Sequence, residues 1–308
     1  MTMKEPPHQF NHYKRRWGDR NDGWRVRKLD PFCRMIPYFL RTRMDSQVFY
    51  ESNIQIAHIE DFIKKYRTEI PDLSIMHVIM AALVRLFSQR PHLNRFVIWN
   101  KLFARNHLSL ALTIKRSLCD DGEETIIKPY FQLTDTLTDV VERVRKEQLA
   151  SQPSGQQNAQ DNVAKLLNYL PDCLLRFAVF LFRWMDKVGI LPKALNKISP
   201  WHSSIFLTNI GSIGVESIYH HLYEFGTCSL FVAMGKKSRG KQMDNEGQMQ
   251  DTKSIALKFV IDERVCDGFY YASSMRLFEK ILATPEQLFA PPEKIVVDEG
   301  VGSKRIDV

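Results

Sequence analysis

Apolar residues recur at two spacings along the chain, and each spacing predicts a different element. Over residues 35–56 they first cluster and then alternate, which predicts a helix that runs into a strand. Ser74 is a favourable helix cap, and apolar residues follow it at helical spacing. That helix should end near Arg90, because Pro91 disfavours helical geometry in the residue before it. These patterns are compatible with an α/β architecture without singling out one fold.

The rest of the chain continues the mixture of strands and helices. Strands are predicted over 96–99, 102–104, 108–114, 125–130 and 253–261, with turns at Asn100-Lys101 and at Asp120-Asp121-Gly122. Thr136 is a candidate cap for a helix that carries Leu137, Val140, Val141 and Val144 on one face. A second helical pattern covers 269–283, and residues 151–161 form a polar linker without periodicity.

Residues 163–170 and 174–184 are two apolar pieces after this linker, and the second is apolar around most of a helix. It is too short to span a bilayer, which needs about 20 apolar residues, and Arg176 and Arg183 interrupt it. Two interpretations stay open. The favoured one is a helix buried in a core or a subunit contact, and the minor one is a helix on a membrane surface.

Composition narrows the class of protein. The chain has 308 residues and 44% hydrophobic content, enough for a substantial core in one large domain or two small ones. Its formal charge is +8, but residues 1–43 hold eleven Lys or Arg against four acids, so the remainder is close to neutral. A basic arm could contact nucleic acid or an anionic membrane. We favour an ordinary terminal segment that packs on the domain or stays mobile, and expect no nucleic-acid partner.

The cysteines indicate the compartment. There are five of them, widely spaced and without a C-x-x-C pair, which argues against a disulfide framework or a zinc site. No apolar stretch near the N-terminus follows a charged segment, so a secretory signal is not expected. We therefore predict a cytoplasmic protein without a metal.

One motif carries the chemistry: Asp262-Glu263-Arg264-Val265-Cys266-Asp267-Gly268, between a predicted strand and a predicted helix. It resembles the His-x-x-x-Asp-Gly motif of chloramphenicol acetyltransferase and of the acyltransferase component of 2-oxo acid dehydrogenase complexes. Two further segments are similar to this family in the same order. They are 76–94, which ends in Pro-His-Leu-Asn, and 204–214, which contains Thr-Asn-Ile-Gly. The resemblance covers roughly residues 35–285, and the insertion around 150–200 fits it poorly.

The resemblance implies a two-layer α/β sandwich with a mixed sheet, assembled as a homotrimer with active sites between subunits. It also implies coenzyme A or acyl-CoA as substrate. We expect a basic N-terminal arm over 1–30, a catalytic domain over 31–290 with the 151–200 linker and helical insertion, and a C-terminal tail over 291–308. No lipoyl domain is recognisable, so no covalently attached lipoyl group is expected.

The same resemblance assigns the site residues. Glu263 stands where the family has its general base, a histidine. Thr208 matches the hydroxyl residue that binds the oxyanion, with Asn209 beside it. Asp267 matches a structural aspartate that pairs with an arginine, for which Arg41 and Arg43 are candidates. Gly268 fits a close backbone approach or an unusual dihedral angle at the strand-to-helix turn.

A glutamate ordinarily titrates near about 4.3 and is a weaker base than histidine at neutral pH, so the substitution handicaps acyl transfer. His220 and His221 are candidate replacement bases, and His202 is a weaker one. The expected function is acyl transfer from a thioester to a thiol or hydroxyl, with weakened or altered catalysis. The alternative is a non-catalytic trimeric scaffold or acyl-CoA-binding protein with the same fold.

Overall fold

A computed structural model describes residues 10, 12–115, 124–151, 169–243 and 247–306. The strands of these ranges are β1 Gly23–Arg25, β2 Gln47–Gln55, β3 Arg95–Ile98, β4 Lys101–Arg105, β5 Leu108–Lys115, β6 Glu124–Ile127, β7 Tyr130–Phe131, β8 Ile205–Asn209, β9 Leu230–Met243 and β10 Met249–Asp262. The helices are α1 Pro31–Phe39, α2 Ala57–Tyr66, α3 Ile75–Gln89, α4 Leu137–Ser151, α5 Asp172–Val188, α6 Lys193–Ile198 and α7 Gly268–Ala283.

The main sheet has the strand order β2-β10-β9-β8-β5-β6, and β7 pairs with β5. The strand β8 runs parallel to both of its neighbours, whereas the other pairs are antiparallel. A small antiparallel sheet, β1-β4-β3, lies beside it. The predicted mixed sheet is confirmed.

Helices α3 and α7 pack against each other and against one face of the main sheet. Every residue of helix α3 from Ile75 to Ser88 except Met76 is buried, and most of these residues are apolar, as expected of a helix inside a core. In β10, every second residue from Leu257 to Ile261 points into the same core. This helix layer on a sheet is the predicted two-layer α/β sandwich.

The opposite face of the sheet has a smaller apolar cluster beneath the chain that connects β8 to β9. Its members share nearly complete burial: Ala111, Phe206, Leu222, Cys228, Phe231 and Val260. The ring of Phe206 stacks on that of Phe231, with centroids 5.1 Å apart. This cluster fixes the connection at residues 215–229 over β8 and β9, close to the sequence-predicted Thr208.

The described part of the N-terminal arm lies against the body of the protein. Tyr13 and Trp24 are buried, with ring centroids 5.4 Å apart, and Tyr13 donates its hydroxyl to the carbonyl of Asp298 at 2.6 Å. Strand β1 adds to the edge of β4. Tyr13 and Trp24 of the arm therefore fill a core, whereas Trp17 is 98% exposed.

Most elements predicted from apolar spacing are present. Ser74 stands before α3, but its hydroxyl bonds to Nδ1 of His77 at 2.9 Å and does not cap the helix backbone. The turn between β3 and β4 falls at Trp99-Asn100, both with positive φ, one residue before the predicted Asn100-Lys101. The Asp120-Asp121-Gly122 turn, most of the 151–161 linker and most of the 163–170 piece lie outside the described residues.

The hairpin of β9 and β10 is longer than the pattern indicates. The prediction began the second strand at 253, whereas β10 begins at Met249 and pairs with β9 as far as Met243. The outer half of this hairpin is polar and exposed, and therefore lacks the apolar alternation by which a half-buried strand is recognised.

Residues 174–184 form a helix, but within one chain it is not buried in a core; burial in a subunit contact, the other part of the expectation, stays a prediction. These residues belong to α5, in which Phe177 is 62% exposed, Phe180 63% and Trp184 49%. Only Asp186 of this helix is buried. Apolarity around most of the helix predicted burial, but only one side of it, at Leu175, Ala178, Phe182 and Met185, is half-buried, and the opposite side is exposed.

Candidate active site

The predicted reaction motif forms the turn between β10 and α7. Strand β10 ends at Asp262, and α7 begins at Gly268. The fully buried Asp262 carboxylate accepts two hydrogen bonds from the Arg264 guanidinium, at 2.8 and 2.7 Å, and one from the Ser46 hydroxyl at 3.0 Å. Arg43 lies 4.0 Å from the same carboxylate. This charged cluster holds the turn in one conformation.

Glu263 lies exposed on that turn. Its backbone N–H donates to the carbonyl of Ser46 at 2.9 Å, which fixes its main chain. Its sequence neighbour Arg264 is engaged by Asp262 and by the carbonyl of Leu40 at 3.0 Å. Glu263 is therefore exposed at the surface of the chain, and the arginine beside it is bound elsewhere.

Asp267 caps α7. Its carboxylate accepts from the backbone N–H of Tyr270 at 2.7 Å, and within the described residues no arginine forms an ion pair with it. The candidate partner Arg43 instead donates to the carbonyls of Glu224 and Gly226, each at 2.8 Å. Arg41 is exposed and makes no ion pair in the described ranges. The proposed pairing of Asp267 with Arg43 is wrong within one chain, because Arg43 is held near Asp262.

Gly268 differs from the prediction made for it, and the nearby Cys266 is unsuited to act as a nucleophile. Gly268 has an ordinary negative φ, and a Cβ added to it would meet open space, so the predicted close approach or unusual dihedral angle is absent. Burial raises the pKa of Cys266 to about 12. Its thiol therefore stays protonated at neutral pH and is no nucleophile.

Thr208 lies half-buried near the end of β8, and the turn after it shows why its motif contains glycine. The Asn209 carboxamide oxygen accepts from the backbone N–H of Ser212 at 3.2 Å and caps this turn. A Cβ on Gly211 would lie 2.2 Å from the carbonyl oxygen of Gly235. Only glycine permits this contact, which brings the turn against β9.

Strand register separates Thr208 from Glu263 within one chain. Thr208 pairs with Ala233 of β9, and Ala233 pairs with Lys258 of β10, five residues before Glu263. At about 3.4 Å per residue and about 4.8 Å between strands, the two residues are roughly 20 Å apart. One protomer therefore does not bring the predicted base and the predicted oxyanion donor together.

His220 lies on the same face of the sheet as Thr208. Its ring stacks on Phe231, with centroids 4.2 Å apart, and Phe231 pairs with Phe206, two residues before Thr208. The His220 Nδ1 contacts the carbonyl of His221 at 2.8 Å, and burial lowers the pKa of His220. His221 is exposed, and His202 is fully buried, 3.2 Å from Asp186. Of the three candidate replacement bases, His220 is the one placed on the face of the sheet that carries Thr208.

The sequence analysis missed His92, which packs beside the motif. Its ring stacks on Tyr270, with centroids 4.4 Å apart, and its Nε2 lies 3.8 Å from the carboxylate of Asp298, which binds Arg95. Burial and the charge of Arg95 lower the pKa of His92 to about 4. The Pro-His-Leu-Asn sequence does not reveal the lowered pKa of His92, because the residues that contact His92 belong to α7 and to the C-terminal segment.

We expect the free energy of unfolding to fall as the pH is lowered from 6.5 towards about 4, partly through His92. The unfolded chain binds a proton at this histidine in that window and the folded protein does not, so acid favours unfolding. Urea unfolding measured across the window should show a shallower pH dependence in His92→Gln than in the wild type. The exposed His221→Gln serves as control, and equal slopes in both variants would contradict the assignment.

A cavity of about 620 Å³ opens beside the turn that follows Thr208. It is lined by α2, the start of α3, the Asn209–Ser212 turn and β9. Its charged residues are Glu60, Lys64, Arg67, Lys236 and Lys237. Lys237 and Lys253 both bind Glu60, at 2.6 and 2.9 Å, whereas Lys64 and Arg67 make no ion pair in the described ranges. The cavity is therefore positively charged, and the N-terminus of α3 adds to this.

Within the described residues, no three His, Cys, Asp or Glu side chains are grouped in a way that could hold a metal ion.

Residues 197–290 match the family model described as the catalytic domain of 2-oxoacid dehydrogenases acyltransferase. The matched segment contains both the Thr208 strand and the Glu263 turn. The resemblance to this acyltransferase family is confirmed. No curated protein matches the sequence.

Solved structures show the same acyltransferase fold at low sequence identity. A probable dihydrolipoamide acetyltransferase from Listeria monocytogenes is 9% identical, with TM-score 0.53, over 83% of this chain and 93% of that one. A dihydrolipoamide acetyltransferase from Azotobacter vinelandii is 11% identical, with TM-score 0.52, over 83% and 87%. A truncated catalytic core of the 2-oxoacid dehydrogenase multienzyme complex from Thermoplasma acidophilum is 10% identical, with TM-score 0.51, over 84% and 97%. The fold of these acyltransferase cores therefore extends well beyond the matched segment.

Proposed function

We propose that this protein transfers an acyl group from a coenzyme A thioester to a thiol or hydroxyl acceptor. The observation that carries the proposal is the family match over residues 197–290, which contains both the proposed oxyanion donor and the proposed base. The Azotobacter relative was investigated for the catalytic roles of a serine, a histidine and an asparagine. In this chain we assign Thr208 to the serine role and Glu263 to that of the histidine.

The proposed step begins when Glu263 takes the proton of the acceptor thiol or hydroxyl. The acceptor atom attacks the thioester carbonyl, and the hydroxyl of Thr208 donates to the resulting oxyanion. The carbon–sulfur bond of the thioester then breaks. The coenzyme A thiolate leaves and recovers the proton from Glu263. No other reactant is needed to balance this exchange.

The proposed active site lies between protomers of a homotrimer. A separation of roughly 20 Å within one chain is too large for Glu263 and Thr208 to act on one carbonyl, so two chains must each contribute one of them. The exposed position of Glu263 supports this arrangement. Leu40, which accepts a hydrogen bond from Arg264 through its carbonyl, directly follows helix α1, and α1 exposes Phe32, Met35, Tyr38 and Phe39. These side chains are suited to a protomer contact.

The cavity beside Thr208 is proposed to receive the coenzyme A portion. Phosphates favour lysine and arginine side chains and the N-terminus of a helix, and the cavity offers all of these. Asn209 and Gly211 line it directly after Thr208, so a thioester extending from the cavity would reach the proposed oxyanion donor.

Reversing the two unpaired charges of this cavity should weaken coenzyme A binding about tenfold per residue, because each loses a charge-assisted hydrogen bond to phosphate. The double variant Lys64→Glu/Arg67→Glu is to be compared with wild type by calorimetric titration with acetyl-CoA. Lys280→Glu/Lys294→Glu makes the same charge change on exposed residues elsewhere. Unchanged affinity in the cavity variant would overturn this placement.

The proposed activity is tested by incubating the purified protein with several acyl-CoA donors and with thiol, alcohol or dihydrolipoamide acceptors. Release of free coenzyme A thiol should depend on the acceptor. Thioester binding without turnover, followed by turnover in Glu263→His, would instead favour the acyl-CoA-binding scaffold. A cytoplasmic location forms part of the proposal, since the described cysteines Cys33, Cys173, Cys228 and Cys266 are free.

A further inference from the structure

Helix α5 exposes an apolar face along its whole length. The side chains of this face share high exposure and helical spacing: Leu174, Phe177, Phe180, Leu181, Trp184 and Val188. At 100° per residue they span about one third of the helix circumference. Soluble proteins rarely leave so continuous an apolar surface in water, and such surfaces commonly mark an interaction site.

The orientation of this face is fixed by the buried side of the same helix. Asp186 is 3% exposed, and its carboxylate accepts from Arg20 at 2.7 Å and lies 3.2 Å from Nε2 of His202. Gly189 ends the helix in the left-handed conformation, with its backbone against the Arg20 side chain. The apolar face therefore points away from the protein body, because Asp186 on the opposite side of the helix is held against it.

Basic side chains border the apolar face on one side. Arg176, Arg183 and Lys187 fall within about 40° of one another on the helix circumference, next to the Phe180 edge. Lys193 and Lys197 follow on α6, and both are exposed. Over 171–199 the exposed acid is Asp172, since Asp186 is buried by Arg20. The rim of the face is thus strongly positive.

We propose that α5 docks this protein on a membrane surface that carries anionic lipids. The helix, about 25 Å long, would lie in the interfacial plane, with its phenylalanines and Trp184 among the acyl chains and its basic residues at the headgroups. Charge complementarity supports this occupant, because a basic rim is attracted to anionic headgroups. A contact in which the α5 faces of two copies pack together would instead bring their two basic rims close to each other.

The mode of attachment is peripheral. No helix within the described ranges is long and apolar enough to cross a bilayer. Binding therefore depends on insertion of the apolar face and on electrostatic attraction, both of which can be removed separately by substitution.

The test is co-sedimentation of the full-length protein with vesicles of phosphatidylcholine alone and of phosphatidylcholine with phosphatidylserine. We expect binding to the anionic vesicles that weakens with salt. Phe180→Glu/Trp184→Glu should reduce it at least tenfold, because both side chains are exposed and each gains a repelled charge. Trp17→Glu, at a residue 98% exposed outside α5, is the matched control and should bind like wild type.

The charged rim is tested by Arg176→Gln/Arg183→Gln. Each basic residue near an anionic surface contributes roughly a fivefold factor, so the pair should cost about 25-fold in vesicle affinity. Arg34→Gln/Arg145→Gln makes the same change at exposed positions elsewhere. Absence of wild-type binding would overturn the proposal. The proposal would also be overturned if Phe180→Glu/Trp184→Glu changed the oligomeric state in sedimentation velocity but left vesicle binding intact. That result would show that a second copy of the chain covers the apolar face.

Discussion

The Glu263→Gln variant is expected to lose acyl transfer by about 10²–10⁴-fold in kcat, the usual contribution of a positioned general base. Glutamine keeps the size of the side chain but does not accept the acceptor's proton. Because Glu263 is exposed and its contact with Ser46 uses the main chain, folding should be unaffected. The measurement is the rate of acceptor-dependent thiol release from acyl-CoA at saturating substrate.

Two further substitutions decide which residue is the base. Glu142→Gln changes an exposed glutamate on α4 and should leave kcat unchanged. His220→Gln removes the imidazole that lies on the Thr208 face. A large loss of activity in His220→Gln together with full activity in Glu263→Gln would show that the base is His220, in the connection before β9, and not Glu263.

The same variants test whether the active site is shared between protomers. Thr208→Val alone should also be poorly active, because it removes the proposed oxyanion donor. Randomly mixed trimers of Thr208→Val and Glu263→Gln chains contain sites with both functional residues, and should regain about one quarter of wild-type activity. Mixtures that remain inactive would contradict an intersubunit site while leaving the single-variant result intact.

The Asp262→Asn variant is expected to lower the free energy of unfolding by about 3–5 kcal/mol. Asp262 is fully buried and receives two hydrogen bonds from Arg264, so an amide in its place leaves the guanidinium groups of Arg264 and Arg43 without their buried counter-charge. The loss is a large fraction of the total stability of a typical domain. Urea unfolding of both proteins at neutral pH measures it.

The control for this substitution is Asp251→Asn, on the exposed outer half of the same strand. It makes the same substitution at a solvent-exposed position and should alter the free energy of unfolding by less than about 0.5 kcal/mol. Equal stability of Asp262→Asn and Asp251→Asn would show that the buried cluster does not hold the turn. Reduced acyl transfer in Asp262→Asn protein that is still folded would follow from displacement of Glu263.

The local sequence pattern was sufficient to predict helices and strands wherever a residue's neighbours in sequence are also its neighbours in the fold. The helix after Ser74, the strand before Glu263 and the helix after Gly268 are all present, because apolar periodicity directly reflects which side of an element is buried. Pro91 ends α3 where its steric effect on Arg90 predicts. The order of the three motif segments also indicated the fold correctly.

The sequence pattern failed to predict side-chain partners where contacts between residues distant in sequence determine them. The side chain of Arg43 was considered as a partner for Asp267, but the chain brings it to Asp262 and to carbonyls more than 170 residues away. His92 appeared to be part of a corner, and only the packing of Tyr270 and Arg95 around it lowers its pKa. For α5, apolar composition specified the helix but not whether another element covers it.

The sequence by itself determined most of the helices and strands and the acyltransferase resemblance, and it led to the proposal that Glu263 stands in place of the family's histidine. Each of these depends on residue type and short spacing. Only the tertiary structure decided that Arg264 is engaged by Asp262, that Thr208 and Glu263 lie far apart within one chain, and that α5 turns its aromatic side chains outward. These properties depend on strand register and on charge pairs between distant segments, because a folded chain brings together residues whose spacing in sequence carries no sign of their contact.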